Sequence, residues 1–453
     1  HLDDVVIKEC EKKVVRSTAE NTVPVIRSQI GSRKRNTLRS NLLVFEARNF
    51  NADRGVDTSA NDDVAEILVN GFFDAYIDKE RFSQVEEDKI EITLSGLSNW
   101  LDKRDGSQIS GLKNELQKPA DVLDNITNFK LMVKADAKPK LDDSVITKVA
   151  TGQNIVYQKK KINALFSNVF IQVFEKLRFC CKDNVILYNG MDTDTFALEV
   201  QKRIGTDLDS WFCGELDISK YDKSQGALMK LVEEKIMRRL GVDSSVIDMW
   251  YAGEYESSVS TSDGVFTASI GAQRRSGASN TWLGNTIINM CLQAYCSRIA
   301  DYECICFAGD DSLIFSSLPV KNVFGELATV FGFDIKFFEH ATPYFCSKYI
   351  VSDGSRLYFM PDPYKLLVKL GRSVSPNESV CHENFVSFCD STRHFGSEVL
   401  INELVRMHEK RYGPTNYTYG AFATIHCLSA NFSQFRRLYI TRTGKSFGIN
   451  LRD

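Results

Sequence analysis

The chain has 453 residues, and its 43% hydrophobic and 25% charged residues are typical of a folded protein. This length exceeds one small core and predicts two or three subdomains. With 56 basic and 59 acidic residues, the net charge is −3. That balance excludes a protein that is basic all over, but it allows a local basic channel for nucleic acid.

The cysteines and the apolar runs exclude further classes of protein. The 12 cysteines show no Cys-x-x-Cys pair and no Cys/His zinc spacing, which predicts free thiols in a reducing compartment. The longest nearly apolar run, residues 162–174, is too short to span a bilayer. No secretory signal opens the chain, and it begins with His1 rather than Met. We therefore expect a fragment, or a product released from a larger translation product.

The first landmark in the chain is rich in lysine. Residues 154–157 predict a short strand, and residues 162–177 carry apolar side chains at helical spacing. Lysines on the irregular chain around the strand would suit a triphosphate, although exposed loop lysines without a ligand are the commoner case. One group is Lys134, Lys138 and Lys140, and the other is Lys159, Lys160 and Lys161.

The second landmark is a pair of acids five residues apart. An apolar run ends at Asp217, which predicts a strand that presents a carboxylate at its end. Asp222 follows, and residues 224–240 predict a helix with Ser224 as its cap and Gly241 at its end. An acid near a helix start is more often a cap than a functional group, and this alternative applies to Asp222 more than to Asp217.

The third landmark is a glycine loop that leads into a helix. Ser276 and Gly277 predict the loop, and Thr281 and Asn285 lie four residues apart on one face of the helix. A hydroxyl and an amide on one face suit recognition of a sugar hydroxyl. A polar helix face capped by Ser279 explains the same pattern equally well.

The fourth landmark is the triplet Gly309-Asp310-Asp311 between two apolar runs, which predicts a β-hairpin. Because charged side chains are rarely buried without a partner, adjacent acids between buried strands suggest a bound cation. For the triplet alone, a surface hairpin with an acidic tip is the commoner explanation. A helix over residues 323–331 and a strand over residues 333–338 follow.

The order of these elements predicts a mixed α+β fold with a small antiparallel sheet backed by two helices. If the strand that ends at Asp217 lies beside the hairpin, it brings a third carboxylate to Asp310 and Asp311. Oxygen ligands suit Mg²⁺ or Mn²⁺, and two such ions roughly 3.5–4 Å apart support in-line phosphoryl displacement. Lys336 on the last strand would protonate departing pyrophosphate. Nucleotidyl transfer needs this set of residues together.

The chain resembles viral RNA-dependent RNA polymerases of the alphavirus-like group, and closterovirus replicases most of all. The resemblance lies in the sequences of residues 217–225 and 273–277 and in the Gly309-Asp310-Asp311 triplet. The resemblance covers about residues 130–350 and includes five motifs in the family's order. It implies a right-hand fold with an N-terminal region and fingers at 1–205, a palm at 206–360 with a fingers portion near 241–275, and a helical thumb at 361–453.

The resemblance also implies roles for individual residues. Asp217, Asp310 and Asp311 would bind two Mg²⁺ or Mn²⁺ ions, with Asp310 the surer ligand of the hairpin pair, and Lys336 matches the proposed general acid. The residues implied in substrate binding are Asp222, Asn285 and Thr281 at the ribose 2′-hydroxyl, Ser276 and Gly277 beside the nascent base pair, and Lys134, Lys138, Lys159 and Lys161 in the basic fingers region. Residues 345–348 resemble the segment that supports the primer end.

The implied activity is template-directed transfer of ribonucleoside monophosphates to an RNA 3′ end during replication and transcription of a positive-strand RNA virus genome. The expected partners are template and nascent RNA, nucleoside triphosphates and viral capping and helicase proteins. The expected location is the host cytoplasm, in replication complexes that reach membranes only through partners. A catalytically inactive RNA-binding scaffold and a reverse transcriptase stay open as alternatives. The intact acids oppose the first, and Asp222 with Asn285 opposes the second.

Overall fold

The computed structural model describes residues 5–7, 23–24, 37–50, 58–116, 125–134, 152–339, 342–370, 378–415, 417–436 and 439–440. Lys138, one of the predicted phosphate-binding lysines, lies outside the described residues. The fold combines helices with four β-sheets, so the predicted mixed α+β class is confirmed. Among the described residues, no helix has both the length and the apolar character needed to cross a membrane.

The strands are β1 (Val5–Ile7), β2 (Val23–Pro24), β3 (Asn128–Val133), β4 (Asn154–Tyr157), β5 (Val185–Leu187), β6 (Phe212–Ser219), β7 (Ser257–Thr261), β8 (Phe266–Ile270), β9 (Cys304–Ala308), β10 (Asp311–Ser316), β11 (Asp334–Glu339), β12 (Tyr344–Phe345), β13 (Lys348–Ser352), β14 (Leu357–Pro361) and β15 (Tyr439–Ile440). The helices are α1 (Leu38–Arg48), α2 (Thr58–Tyr76), α3 (Lys79–Val85), α4 (Leu94–Asp102), α5 (Gly106–Leu116), α6 (Lys160–Cys180), α7 (Thr193–Ile204), α8 (Tyr221–Ser224), α9 (Ala227–Arg239), α10 (Ser244–Tyr255), α11 (Thr281–Cys296), α12 (Glu326–Phe331), α13 (Pro363–Leu370), α14 (Glu378–Thr392), α15 (Glu398–Tyr412), α16 (Thr418–Ala430) and α17 (Phe432–Arg436).

The central sheet has the strand order β11-β6-β10-β9-β5, and all pairs are antiparallel except β5 with β9. It is covered on both faces. Ile305 and Phe307 of β9 join the largest hydrophobic cluster, which includes α2, α9 and α11, whereas Cys304 and Cys306 join a second cluster with α7, β13 and β14. Burial on both faces explains why β9 reads as a continuous apolar run instead of an alternating one.

A second sheet lies on the N-terminal side, with the order β1-β8-β7-β3-β4. It joins distant parts of the chain, because β3 pairs in parallel with β7. A third sheet, β12-β13-β14, packs with α14 and α15 around its own hydrophobic cluster, to which α16 and α17 also contribute. The strands predicted before Asp217, around Lys336 and at residues 154–157 are all present.

Two predicted helix boundaries are wrong. The helix expected to start directly after Ser224 begins only at Ala227, since α8 ends at Ser224 and Gly226 is the N-cap residue of α9. Ser224 does not cap α9, because its hydroxyl donates to the carbonyl oxygen of Lys220 within α8. The helix expected over residues 323–331 begins only at Glu326. Gly241, with a φ of +91°, ends its helix segment as predicted.

Candidate active site

One end of the central sheet carries predicted catalytic side chains on three neighbouring strands. Lys336 on β11 is paired directly with Asp217 on β6. The register between β6 and β10 pairs Leu216 with Ser312, so that Asp217 and Asp311 come next to each other one residue further along. Side chains that face each other across antiparallel strands lie on the same face of the sheet. Lys336, Asp217 and Asp311 thus form a row, and all three are exposed.

The turn between β9 and β10 is held from below by helix α11. Gly309 has a φ of +64°, a conformation that glycine adopts without steric cost. Its N–H donates to the hydroxyl of Thr286 at 2.9 Å, and the amide of Asn289 donates to the carbonyl oxygens of Gly309 and Asp310 at 3.2 Å each. These bonds fix the backbone of Asp310 and leave its side chain exposed.

Thr286 and Asn289 were not predicted from the sequence as parts of the site. Gln293 extends the same contact, since its amide donates to Asn289 at 2.9 Å and to the hydroxyl of Ser312 at 2.8 Å. The three side chains recur at intervals of three and four residues within an otherwise apolar, buried helix. That spacing is a signal the sequence does contain, because a polar stripe inside a buried helix requires hydrogen-bond partners.

The donor chemistry of the row suits a hard divalent cation, because exposed carboxylate oxygens are the ligands that Mg²⁺ and Mn²⁺ take. In the part of the chain that the structure describes, no three acidic, histidine or cysteine side chains lie close enough to form a ready metal-binding group. The geometry brings Asp217 beside Asp311, and the metal assignment of Asp217, Asp310 and Asp311 stays a prediction.

The segment predicted to support the primer end lies against the hairpin. Cys346 and Ser347 both have positive φ values, +49° and +60°, and form the turn between β12 and β13. The Cys346 thiol lies close enough to Asp311 for this carboxylate to affect its pKa. Burial raises the pKa of this thiol above its ordinary value, and the carboxylates of Asp311 and Asp310 raise it further. This proximity connects the third sheet to the row of predicted catalytic side chains.

Of the three residues predicted to contact the ribose 2′-hydroxyl, two are in contact with each other. The amide nitrogen of Asn285 donates to Asp222 Oδ1 at 2.9 Å, which joins α11 to α8. Asn285 is 7% exposed, whereas Asp222 is half-buried. Thr281 lies on the same helix, but its hydroxyl contacts the carbonyl oxygens of Arg275 and Ala278 at 2.7 Å each. Asp222 and Asn285 are therefore brought together, and Thr281 closes the turn before its helix.

Ser276 and Gly277 dock on strand β4. The hydroxyl of Ser276 donates to the carbonyl oxygen of Asn154 and accepts from the N–H of Val156, both at 3.2 Å. A Cβ at Gly277 would lie 2.6 Å from Cγ2 of Ile155, so only glycine fits. The loop predicted to lie beside the nascent base pair is thereby fixed to the second sheet.

The predicted lysines do not form one cluster. Lys134 is exposed at the end of β3, and the Lys159 amine donates to the side-chain oxygen of Asn125. Lys161 is only 8% exposed and lies in the first turn of α6. Lys160, a member of the second lysine group, instead lines a cleft of about 290 Å³ with Arg104. Trp100, Gln108, Asn163, Ser167, Gly277 and Ser279 complete the lining, and none of the described residues that line the cleft carries a carboxylate.

Comparison with known proteins gives a consistent result. A family model described as RNA dependent RNA polymerase matches residues 1–438. The replicase polyprotein 1ab of Grapevine leafroll-associated virus 3 (isolate United States/NY1) is 43% identical over 438 residues, which is 97% of this chain and 16% of that protein. The replicase polyprotein 1ab of Beet yellows virus (isolate Ukraine) is 37% identical over 441 residues, which is 96% of this chain and 14% of that protein.

A more distant relative is RNA-directed RNA polymerase 2a of Cucumber mosaic virus (strain Iizuka). It is 28% identical over 448 residues, which is 97% of this chain and 50% of that protein. The chain therefore spans half or less of the length of each of these relatives.

Proposed function

Because the chain belongs to the RNA-dependent RNA polymerase family, we propose that it transfers ribonucleoside monophosphates from nucleoside triphosphates to an RNA 3′ end, as directed by an RNA template. The resemblance predicted from the motifs, to viral RNA polymerases and to closterovirus replicases in particular, is confirmed by the relatives. The observation that carries the proposed chemistry is the row of Lys336, Asp217 and Asp311 across three adjacent strands.

In the proposed reaction, Asp217, Asp310 and Asp311 would hold two Mg²⁺ or Mn²⁺ ions, whose positive charge would stabilise the attacking and leaving oxygens. Lys336 stands across from Asp217, within the reach of a lysine side chain over the same face, and protonates the leaving pyrophosphate. Asp222 and Asn285 contact the ribose 2′-hydroxyl, which supports a preference for ribonucleotides.

The proposed subdomains follow the sheets. The palm at 206–360 contains four of the five strands of the central sheet, and only β5 comes from the preceding region. Pairing of β7 with β3 supports the assignment of residues near 241–275 to the fingers at 1–205. Helices α13 to α17 support a helical thumb at 361–453. In this proposal, the three regions form the fingers, palm and thumb of a right-hand fold.

The proposed partners are template and nascent RNA, nucleoside triphosphates and the other replicase proteins of the virus. The cleft with Arg104 and Lys160 supports contact with an anionic strand, because its described lining has two cations and no carboxylate beside the Gly277 loop. We place the enzyme in replication complexes of the host cytoplasm, with membrane association through partner proteins.

The test is a primer-extension assay. The 453-residue chain is incubated with an RNA primer–template, Mg²⁺ or Mn²⁺, and either ribonucleotides or deoxyribonucleotides. Extension with ribonucleotides alone is the expected result. Preference for deoxyribonucleotides would identify a reverse transcriptase, and binding of the RNA without any extension would identify a scaffold. Either of these results contradicts the proposal.

A further inference from the structure

A buried polar network supports the amide of Asn285, and none of its other members was predicted from the motifs. The Nε–H of Arg274 donates to Asn285 Oδ1 at 2.9 Å, and the amide nitrogen of Gln225 donates to the same oxygen at 2.7 Å. A second nitrogen of Arg274 donates to Gln225 Oε1 at 2.7 Å. Gln225 and Arg274 are 0% and 1% exposed. The network is therefore shielded from water.

These bonds determine which end of the amide faces Asp222. With two donors aimed at one end of the Asn285 side chain, that end has to be the oxygen, because a flipped amide would place N–H against N–H. The nitrogen then points to Asp222 and donates to its carboxylate. Gln225 is fixed in the same way, since its own oxygen accepts from Arg274.

Glu233 anchors the guanidinium group. Two nitrogens of Arg274 donate to the two oxygens of Glu233 at 3.1 and 2.6 Å, and both side chains are buried. Burial raises the pKa of Glu233, but the charges of Arg274 and Lys230 outweigh it and hold the pKa below its ordinary value. The carboxylate is thus charged, and a bidentate contact of this kind fixes the plane of the guanidinium group.

Gly284 provides the surface on which the guanidinium group lies. A Cβ at Gly284 would come within 2.6 Å of the Arg274 Cζ, so that a methyl group there would push the guanidinium group away. The position of Arg274 is therefore set by hydrogen bonds to the carboxylate of Glu233 and by the close approach that Gly284 permits.

We propose that Arg274, held by Glu233 and Gly284, is a positioning residue that orients the Asn285 amide toward Asp222 and thereby sets the preference for ribose over deoxyribose. Arg274 acts through Asn285 and does not itself contact the substrate. The inference rests on the proposed function, because it assigns a determinant of sugar selection to the same site.

The principal test compares Arg274→Lys with Arg275→Lys. Both arginines are buried, but Arg275 donates only to backbone carbonyl oxygens, including those of Gly271 and Gln273 at 2.9 and 3.0 Å. We expect Arg274→Lys to lower the ratio of kcat/KM for ATP over dATP on the order of tenfold, because lysine lacks the Nε donor and the planar fork. Arg275→Lys is expected to lower thermal stability and leave the ratio unchanged.

Two further variants keep the test decisive. Gly284→Ala displaces the guanidinium group without removing a polar atom, and it is expected to lower the same ratio even where Arg274→Lys fails to fold. The double variant Arg274→Lys with Asn285→Ala should have the ratio of Asn285→Ala alone, since both changes act through one amide.

An unchanged ratio in Arg274→Lys or Gly284→Ala, or equal effects in Arg274→Lys and Arg275→Lys, would overturn the inference. So would additive effects in the double variant. The ratio of ATP to dATP binding, measured by equilibrium titration without turnover, gives a readout that does not require RNA synthesis. A wild-type chain without polymerase activity would contradict the proposed function, whereas an active chain with an unaffected ratio would contradict only the inference.

Discussion

Two groups of polar side chains in this molecule differ in exposure and in how they are positioned. One is the row of Lys336, Asp217 and Asp311, and the other is the network around Asn285. The row is exposed at a sheet end and is positioned by strand register. The network is at most 7% exposed from Gln225 to Asn285 and is positioned by hydrogen bonds between its own side chains. An exposed carboxylate is accessible to a divalent cation, while a buried amide keeps one orientation. In the proposed function, the exposed row would be completed only when metal and substrate bind, whereas the buried network is already ordered before substrate arrives.

The largest expected effect comes from the exposed row. Asp310→Asn should lower nucleotide incorporation by about 10³-fold or more, because a neutral amide binds a divalent cation far more weakly than a carboxylate. RNA binding should survive, since the Gly309 turn is held through backbone atoms. The assay is single-nucleotide extension together with RNA binding. Asp301→Asn, an exposed acid before the same hairpin, is the matched control. Equal activity in the two variants would refute the metal assignment.

Lys336 tests whether the row supplies a proton as well as charge. Lys336→Leu is expected to reduce kcat by roughly 10²-fold, the typical contribution of a general acid. Lys336→Arg preserves the charge opposite Asp217 but cannot release a proton near neutral pH. We therefore expect the arginine variant to be as slow as the leucine variant, measured as kcat for incorporation. Full activity with arginine would show that only the charge matters.

Asn285→Ala tests whether the buried network contributes to the selection of the sugar. The ratio of kcat/KM for ribonucleotides over deoxyribonucleotides should fall about tenfold, because the donor to Asp222 is lost. Thr281→Val should change the ratio less, since the Thr281 hydroxyl already contacts two backbone carbonyl oxygens. An unchanged ratio in Asn285→Ala would remove this residue from sugar selection.

A buried polar group on helix α15 gives the smallest expected effect. His408 packs among tyrosines in the C-terminal cluster, with a hydrogen bond to Tyr349 at 3.1 Å. Burial lowers the pKa of His408 below its ordinary value. Because the unfolded chain then binds the proton more readily, this residue contributes stability above about pH 6.5 that is lost as the pH falls toward the lower, folded pKa.

The measurement is thermal unfolding at pH 7.5 and pH 5.5. Between these values the melting temperature should fall by about 2 °C more in the wild type than in His408→Gln. His426→Gln, at an exposed histidine of the same helical region, serves as the control and should follow the wild type. If His408→Gln shows the same pH dependence as the wild type, the histidine does not contribute to acid sensitivity.

The sequence by itself determined the family, the order of the elements and most strands near the site. Hydrophobic runs that end in Asp217 or surround Gly309-Asp310-Asp311 specify buried strands and a tight turn through local rules alone. It was less successful with the start of α9, because a serine near a predicted helix start matched the cap pattern while its hydroxyl bonded within α8. Local patterns do not distinguish two such hydrogen-bond partners.

Only the tertiary structure decided which side chains meet. The pairing of Lys336 with Asp217 depends on the register between β11 and β6, strands more than 100 residues apart, and register is a property of the sheet. The fixed orientation of the Asn285 amide likewise depends on Arg274 and Glu233. These two residues are far apart in the chain and meet only when α9 packs against α11. Every polar group of such a network requires a hydrogen-bond partner once it is buried. This requirement arises only when the folded chain encloses the network.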